Sequence, residues 1–128
     1  MKEYWEKFMG GATKPAPERV HITLNPRHVF YLNRNAHKLL GSVKAVILYY
    51  NEEDAMIGIG PAHPQLPESF PLIAKNGYFK INASPFCKHF NIKVPTTQAF
   101  IRPDVDNKGI LKLDLKTTRR ASRAGVEK

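Results

Sequence analysis

The residues of this chain best suited to chemistry are its cations. Arg27 falls in the Asn-Pro-Arg-His stretch 25–28, while Arg34 and Lys38 stand four apart, the spacing that puts two side chains on one helix face. Arg119, Arg120 and Arg123 cluster near the end. Cations so placed neutralise phosphates and release counterions, and an arginine at a turn tip can reach a groove and read guanine with two hydrogen bonds. The plainer reading of each is a solvated charge or, for the last cluster, a solubilising tail. Distribution weighs against chance. Residues 19–51 hold Arg19, Arg27, Arg34, Lys38 and Lys44 with no acid, and residues 69–103 hold Lys75, Lys80, Lys88, Lys93 and Arg102, again with none. Acids gather instead at 52–54 and at 104 and 106. A charge polarity that recurs along the chain, with a net charge of +9, points to nucleic acid or an acidic membrane surface as partner.

Other chemistries fare worse. His21, His28, His37, His63 and His89 show no metal-binding spacing, and Cys87 and His89 would diverge on a helix. Cys87 has no base specified nearby and reads as a small buried hydrophobe. Asp104 and Asp106 flank a turn, and Asp114 falls on the outer side of an alternating strand. No phosphate-binding glycine loop or serine elbow is present. The chain is therefore expected to be no enzyme and to need no metal or cofactor. Tyr31, Tyr49, Tyr50, Tyr78, Phe79 and Phe100 interleave with cations and could stack exposed bases, as single-strand and RNA binders do. A packed β core is the preferred reading of these rings.

The elements that must hold these residues repeat. Phe30-Tyr31-Leu32-Asn33 aligns with Phe79-Lys80-Ile81-Asn82, Leu40-Gly41 with Phe90-Asn91, and Ile57-Gly58-Ile59 with Ile110-Leu111-Lys112. Each copy reads strand, turn, strand, short helix, strand, acidic turn, strand. Asn33 is placed to cap a helix over 34–40 with Ala36, Leu39 and Leu40 as its buried stripe, and Gly41 ends it. In the second copy Asn76-Gly77 is a hairpin turn, Ser84 is the N-cap of a helix with Pro85 at its first position and with Phe86 and Phe90 along it, and Asn91 ends it. Residues 44–50 and 96–102 read as strands, and 110–115 alternates with Leu111, Leu113 and Leu115 on one face. Domain limits follow: segment and linker 1–18, copy one 19–62, a proline-rich connector 63–71, copy two 72–116, and a basic tail 117–128. So short a repeat cannot close a core alone.

This grammar resembles the AbrB/SpoVT-like swapped-hairpin domains, whose relatives include MazE-type antitoxins and MraZ proteins. The match rests on Ile22-Thr-Leu, Val29-Phe-Tyr-Leu-Asn, Lys38-Leu-Leu-Gly41, Val46-Ile-Leu-Tyr and Ile57-Gly-Ile-Gly-Pro61, and more loosely on the second copy, over about residues 20–115. The chain departs from the family in lacking proline after the second strand (Asn33, Asn82) and glycine in the first turn. The resemblance implies a mainly β fold with short helices: a swapped-hairpin double-repeat β-barrel, a pseudo-dimer of two ββαββ units in one chain. It also implies DNA binding through the first hairpin and helix, at Arg27, His28, Arg34 and Lys38, and at Lys75, Lys80 and Lys88 of the second copy.

The expected function is that of a DNA-binding protein, a transcriptional regulator on duplex DNA. The alternatives are a protein-interaction module, antitoxin-like or an adaptor, using Tyr4, Trp5 and Phe8, and a single-strand or RNA binder. At 128 residues with 42% hydrophobic content the chain supports one domain with tails, either a monomeric pseudo-dimer or a homodimer. A charged N-terminus, a single cysteine and the lack of a ~20-residue apolar run fit a reducing, cytoplasmic setting without membrane insertion.

Overall fold

The computed structural model of the chain describes residues 19–121. The segment carrying Tyr4, Trp5 and Phe8, and Arg123 at the other end, lie outside the described residues. In chain order the elements are β1 (Ile22–Leu24), β2 (Val29–Leu32), α1 (Arg34–Leu39), β3 (Ala45–Asn51), β4 (Met56–Ala62), β5 (Phe70–Pro71), β6 (Ile73–Lys75), β7 (Tyr78–Asn82), α2 (Ser84–His89), β8 (Gln98–Phe100), β9 (Asp104–Val105), β10 (Leu111–Asp114) and β11 (Thr118–Arg120), with one 3-10 turn at Leu115–Thr117. The described residues are mainly β, with two open antiparallel sheets and two short helices. One sheet has six strands in the order β11-β8-β1-β2-β7-β6, the other five in the order β5-β3-β4-β10-β9. The stretch from β5 to β6 passes between them: Phe70–Pro71 pairs with β3, the Leu72 N–H donates to the Lys44 carbonyl, and Ile73–Lys75 pairs with β7.

Corresponding strands of the two copies pair in the interior of each sheet, β2 with β7 and β4 with β10. Phe30 lies opposite Ile81 and Leu32 opposite Phe79, so exchanging the copies leaves this register unchanged. In the five-stranded sheet Ile57 lies opposite Leu113 and Ile59 opposite Leu111, with Gly58 against Lys112 between them. That register makes Leu111 the counterpart of Ile57, one residue from the expected alignment to Ile110. The reason is the two-residue period of a strand: a slip by one would turn Leu111 and Leu113 out of the core. Ile110 instead packs over the outer side of Gly58, where an added Cβ would stand 3.0 Å from its Cγ2.

Alternation sends Ile22, Leu24, Phe30, Leu32 and Ile81 from one sheet, and Val46, Ile57, Ile59, Leu111 and Leu113 from the other, into one shared core. Full burial of each such side chain is worth about 1.5–3 kcal/mol over leaving it exposed. Ala36 and Leu40 of the first helical segment and Phe86 and Cys87 of the second join that core. Burial pushes the Cys87 thiol up to about 11, as suits a packed hydrophobe.

Local signals mostly hold. Asn33 caps α1, its Oδ1 accepting the Ala36 N–H at 2.9 Å, and also accepts the His21 N–H at 3.1 Å while its amide donates to the Arg19 carbonyl. Gly41 and Asn91 both adopt left-handed φ after their helices (85° and 56°), and Asn76 and Gly77 do so at the hairpin (47° and 88°). Phe86 and Phe90 meet with ring centroids 5.3 Å apart. Four expectations are corrected. Leu39 is 42% exposed, because a helix of six residues buries a stripe only as wide as Ala36 and the capping Leu40. Ala83, not Ser84, is the N-cap of α2, and it makes no side-chain capping bond. The strand expected over 96–102 spans only Gln98–Phe100, ended by a positive φ of 55° at Arg102 before Pro103. Residues 118–120, assigned to the tail, form β11 because β8 would otherwise leave an unpaired edge; Arg119 pairs with Ala99 and Thr118 Oγ1 donates to Gln98 Oε1 at 3.0 Å.

Two turns share one geometry. Asn25 Oδ1 accepts the N–H groups of Arg27 (2.9 Å) and Val29 (3.0 Å), and the His28 N–H donates to the Asn25 carbonyl at 2.9 Å. Asp106 Oδ1 likewise accepts from Lys108 (2.8 Å) and Ile110 (3.0 Å), and the Gly109 N–H donates to the Asp106 carbonyl at 3.0 Å. His28 and Gly109 occupy the same left-handed position, with φ of 67° and 83°.

Candidate nucleic-acid interface

Directly paired residues in a sheet share a face. One continuous row therefore crosses all six strands of the larger sheet on its outer side: Arg119, Ala99, Thr23, Tyr31, Lys80 and Ile73. Lys75 and Tyr78 form the next pair on that face, since Tyr78 is two residues from Lys80. The Tyr31 and Tyr78 rings meet edge to face with centroids 5.3 Å apart. Arg34, first in α1, reaches over the β6–β7 turn, with its Nη2 3.7 Å from where a Cβ on Gly77 would stand. Lys38 is exposed one helical turn on.

The structure thus gathers Arg34, Lys75 and Lys80 at the β6–β7 edge, with Lys38 one turn further along α1, sets Arg119 on the same face at the opposite edge, and places Arg27 and His28 elsewhere. The latter pair lies at the far end of β2, roughly 13 Å of strand from the Arg34 end. There the His28 carbonyl accepts the Ala83 N–H at 2.9 Å, so the Arg27 turn neighbours α2, which carries exposed Lys88. Each basic end draws on both copies of the repeat, a grouping that reading either copy alone divides wrongly. Arg119 and Arg120 are split by alternation: Arg120 pairs with Gln98 on the opposite face.

The electrostatics are one-sided. All acids of the described residues (Glu52, Glu53, Asp54, Glu68, Asp104, Asp106, Asp114) lie on the five-stranded sheet or the connections between its strands. The ion pairs among the described residues are Lys112–Asp106 at 3.9 Å and Lys116–Asp114 at 3.1 Å, both on that side. None of the cations named above on the six-stranded side has an acidic partner among the described residues.

The aromatic residues divide. Phe79 and Phe100 face the core, and Tyr50 packs with Phe86 and Phe90. Tyr31 and Tyr78 stand on the outer face of the larger sheet, against the preferred core reading, because their strand positions pair with Lys80 and Lys75. Tyr49 is 45% exposed and covers Gly58 and Gly60 of the other sheet. His37 stacks on Phe79 at 3.8 Å, its Nε2 bonded to the Val43 carbonyl at 2.7 Å, which gives it a packing role. No group of three or more metal-ligating side chains occurs among the described residues. No described helix is long and apolar enough to cross a membrane.

At the β8–β11 end of the same face a cavity of about 520 Å³ opens, lined by Arg19, His21, Arg102 and Arg119 with an apolar wall that includes Ile101 and Pro103. Burial, and then the neighbouring Arg19 and Arg119 charges, lower the His21 pKa from its usual value. Arg19 and Arg102 were visible in the sequence only as members of acid-free stretches, and His21 only as an unpatterned histidine; the pairing of β8 with β1 and β11 brings their flanking segments to one cavity. Comparison of the chain with protein-family models, with curated proteins and with solved structures finds no match.

Proposed function

We propose that this protein binds nucleic acid through the outer face of the six-stranded sheet, as a DNA-binding regulator made of two interlocked ββαββ copies. The observation that carries the reading is the segregation of every described acid onto the other sheet, which leaves Arg34, Lys75, Lys80 and Arg119 on a face with no competing anion. A polyanion releases counterions on meeting such a face, and the gain grows with each phosphate neutralised. The exchange-invariant registers at β2–β7 and β4–β10 support the pseudo-dimer. On a duplex, Arg34, Lys38 and Lys75 would hold one backbone segment and Arg27, His28 and Lys88 another, with Lys80 and Arg119 between. Because the two ends carry different residues, the preferred site would be asymmetric. The outward Tyr31–Tyr78 pair favours a second reading, in which unpaired bases of a single strand or RNA stack on the sheet.

One mobility-shift series tests both readings, using duplex, single strand and RNA at about 50 and 200 mM salt. Binding is expected at low salt and should weaken by about tenfold or more at the higher concentration. Lys80→Glu with Arg34→Glu should abolish it, while Lys112→Glu should leave it within about twofold. Tyr31→Ala should matter only for unpaired strands. Absence of any complex at the lower salt with all three ligands would overturn the proposal.

A further inference from the structure

The cavity beside β8 and β11 has the composition of a nucleotide pocket. We infer that it binds one nucleotide unit, its phosphate held by Arg19, Arg102 and Arg119 and its base laid against Ile101 and Pro103. Three arginines line the cavity with no acid among the lining residues, so nothing there competes with an anionic ligand. Guanidinium is the side chain whose geometry best matches phosphate oxygens. The volume of about 520 Å³ exceeds what a bare phosphate needs and falls in the range of small-ligand sites. Ile101 is 43% exposed at the rim, an apolar surface without cover that a planar base would bury. Arg102 is held at φ 55°, a left-handed conformation that costs an arginine energy, and Pro103 follows directly. Arg19 is tied in place through its carbonyl by Asn33, and Arg119 by the pairing of β11 with β8. The cavity also shares Ala99 and Arg119 with the row that runs to Tyr31 and Lys80.

The shared chemistry, a phosphate with a base attached, has two sources: a free mononucleotide or a terminal unit of a strand lying along the sheet. The second source rests on the nucleic-acid reading proposed above, and the first does not. His21, which lines the cavity with Arg19 and Arg119, is the reporter, because a bound phosphate offsets the arginine charges that add to burial in disfavouring its protonation.

The experiment follows the His21 ring resonance of the full chain by NMR. The titrants are inorganic phosphate, adenosine, adenosine 5′-monophosphate, and one short single strand with and without a 5′-phosphate. Adenosine 5′-monophosphate should give a saturable shift and raise the His21 titration midpoint; adenosine alone should do neither. Phosphate should act in the same direction but bind several-fold more weakly. Arg19→Gln with Arg119→Gln should lose about tenfold or more in affinity while the remaining spectrum is unchanged, and Ile101→Ser should lower the affinity for the nucleotide but not for phosphate. Preference for the 5′-phosphorylated strand over the mononucleotide assigns the pocket to strand ends, and the reverse order assigns it to free nucleotide; both support the inference. If the mononucleotide moves His21 and no strand binds anywhere, the inference stands and the sheet-face reading falls. No response of His21 to phosphate or mononucleotide up to about 10 mM, or an undiminished response in the double variant, would overturn it, even if strands bind across Tyr31 and Lys80.

Discussion

The β1–β2 and β9–β10 turns have the same backbone and opposite charge. Asn25 and Asp106 each accept two N–H groups, two and four residues ahead, and each closes its loop through its own carbonyl. The structural task needs only an oxygen acceptor on a short side chain. On the six-stranded side asparagine performs it, and the turn then displays Arg27. On the five-stranded side aspartate performs it, and its charge also pairs with Lys112 at 3.9 Å. The same division extends outward. Neutral Asn33 caps α1, whereas Asp114 holds the Lys116 N–H at 2.8 Å and meets its ammonium at 3.1 Å. Acids on one side serve the fold; on the other, amides do equivalent work and leave the surface free of negative charge. A basic face can therefore arise from choosing asparagine over aspartate at the turns as much as from adding lysine and arginine.

The comparison can be broken at several strengths. The greatest effect is expected in the core that both turns rest upon. Phe30→Ala should cost about 3–5 kcal/mol, and intrinsic fluorescence and circular dichroism should still report one coincident urea transition. Two separate transitions would mean that the sheets are independent units and that their charge difference is one between domains.

Next in size are the turn acceptors themselves. Asn25→Ala should cost about 1 kcal/mol by leaving the Arg27 and Val29 N–H groups without their partner. Asp106→Ala should also destabilise, but in a pH-dependent way. The Ile110 and Lys108 N–H groups, with the Lys112 charge assisting, hold the Asp106 carboxyl below its usual pKa. Its folded-state pKa is thus lower than the unfolded one, so its contribution is complete above the ordinary carboxylate value and is lost as pH falls through the folded value. Stability measured against pH should fall less steeply below about pH 4 in Asp106→Asn than in the wild type, while Asn25→Ala should run parallel to the wild type. Equal slopes for wild type and Asp106→Asn would remove the distinction between the turns.

The smallest change isolates charge. Asn25→Asp keeps the acceptor oxygen and the turn, and should leave the unfolding midpoint nearly unmoved. It places an anion beneath Arg27, and nucleic-acid affinity at low salt should fall by about two- to fivefold, less at high salt. An unchanged affinity, measured by fluorescence anisotropy, would place the Arg27 end outside the interface and restrict binding to the Arg34–Lys80–Arg119 region.

Much of this architecture was legible without coordinates. Asn76-Gly77, Gly41 and Asn91 announce left-handed backbone by residue type, and Asn33 announces a cap. The repeat and the acid-free stretches were likewise plain. Most of the differences share one cause. The slip between Ile110 and Leu111, the outward Tyr31 and Tyr78, and the recruitment of residues 118–120 into β11 all depend on which distant segment lies alongside. For short strands, apolar alternation is satisfied by two registers one residue apart, and only the partner strand selects between them.

The amino-acid order by itself determined the turns, the caps, the twofold repetition and the placement of acid and base along the chain, because each depends on residues within a few positions of one another. The tertiary structure alone decided that Arg34 reaches the β6–β7 turn next to Lys75, that Lys75, Lys80 and Arg119 share a sheet face, that Arg27 sits beside α2, and that Arg19, His21, Arg102 and Arg119 line one cavity. Those groupings follow from β-pairing between segments tens of residues apart. Such pairing is set by the joint burial of Phe30, Leu32, Ile57, Ile81, Leu111 and Leu113 in one core, and not by the cations that it gathers.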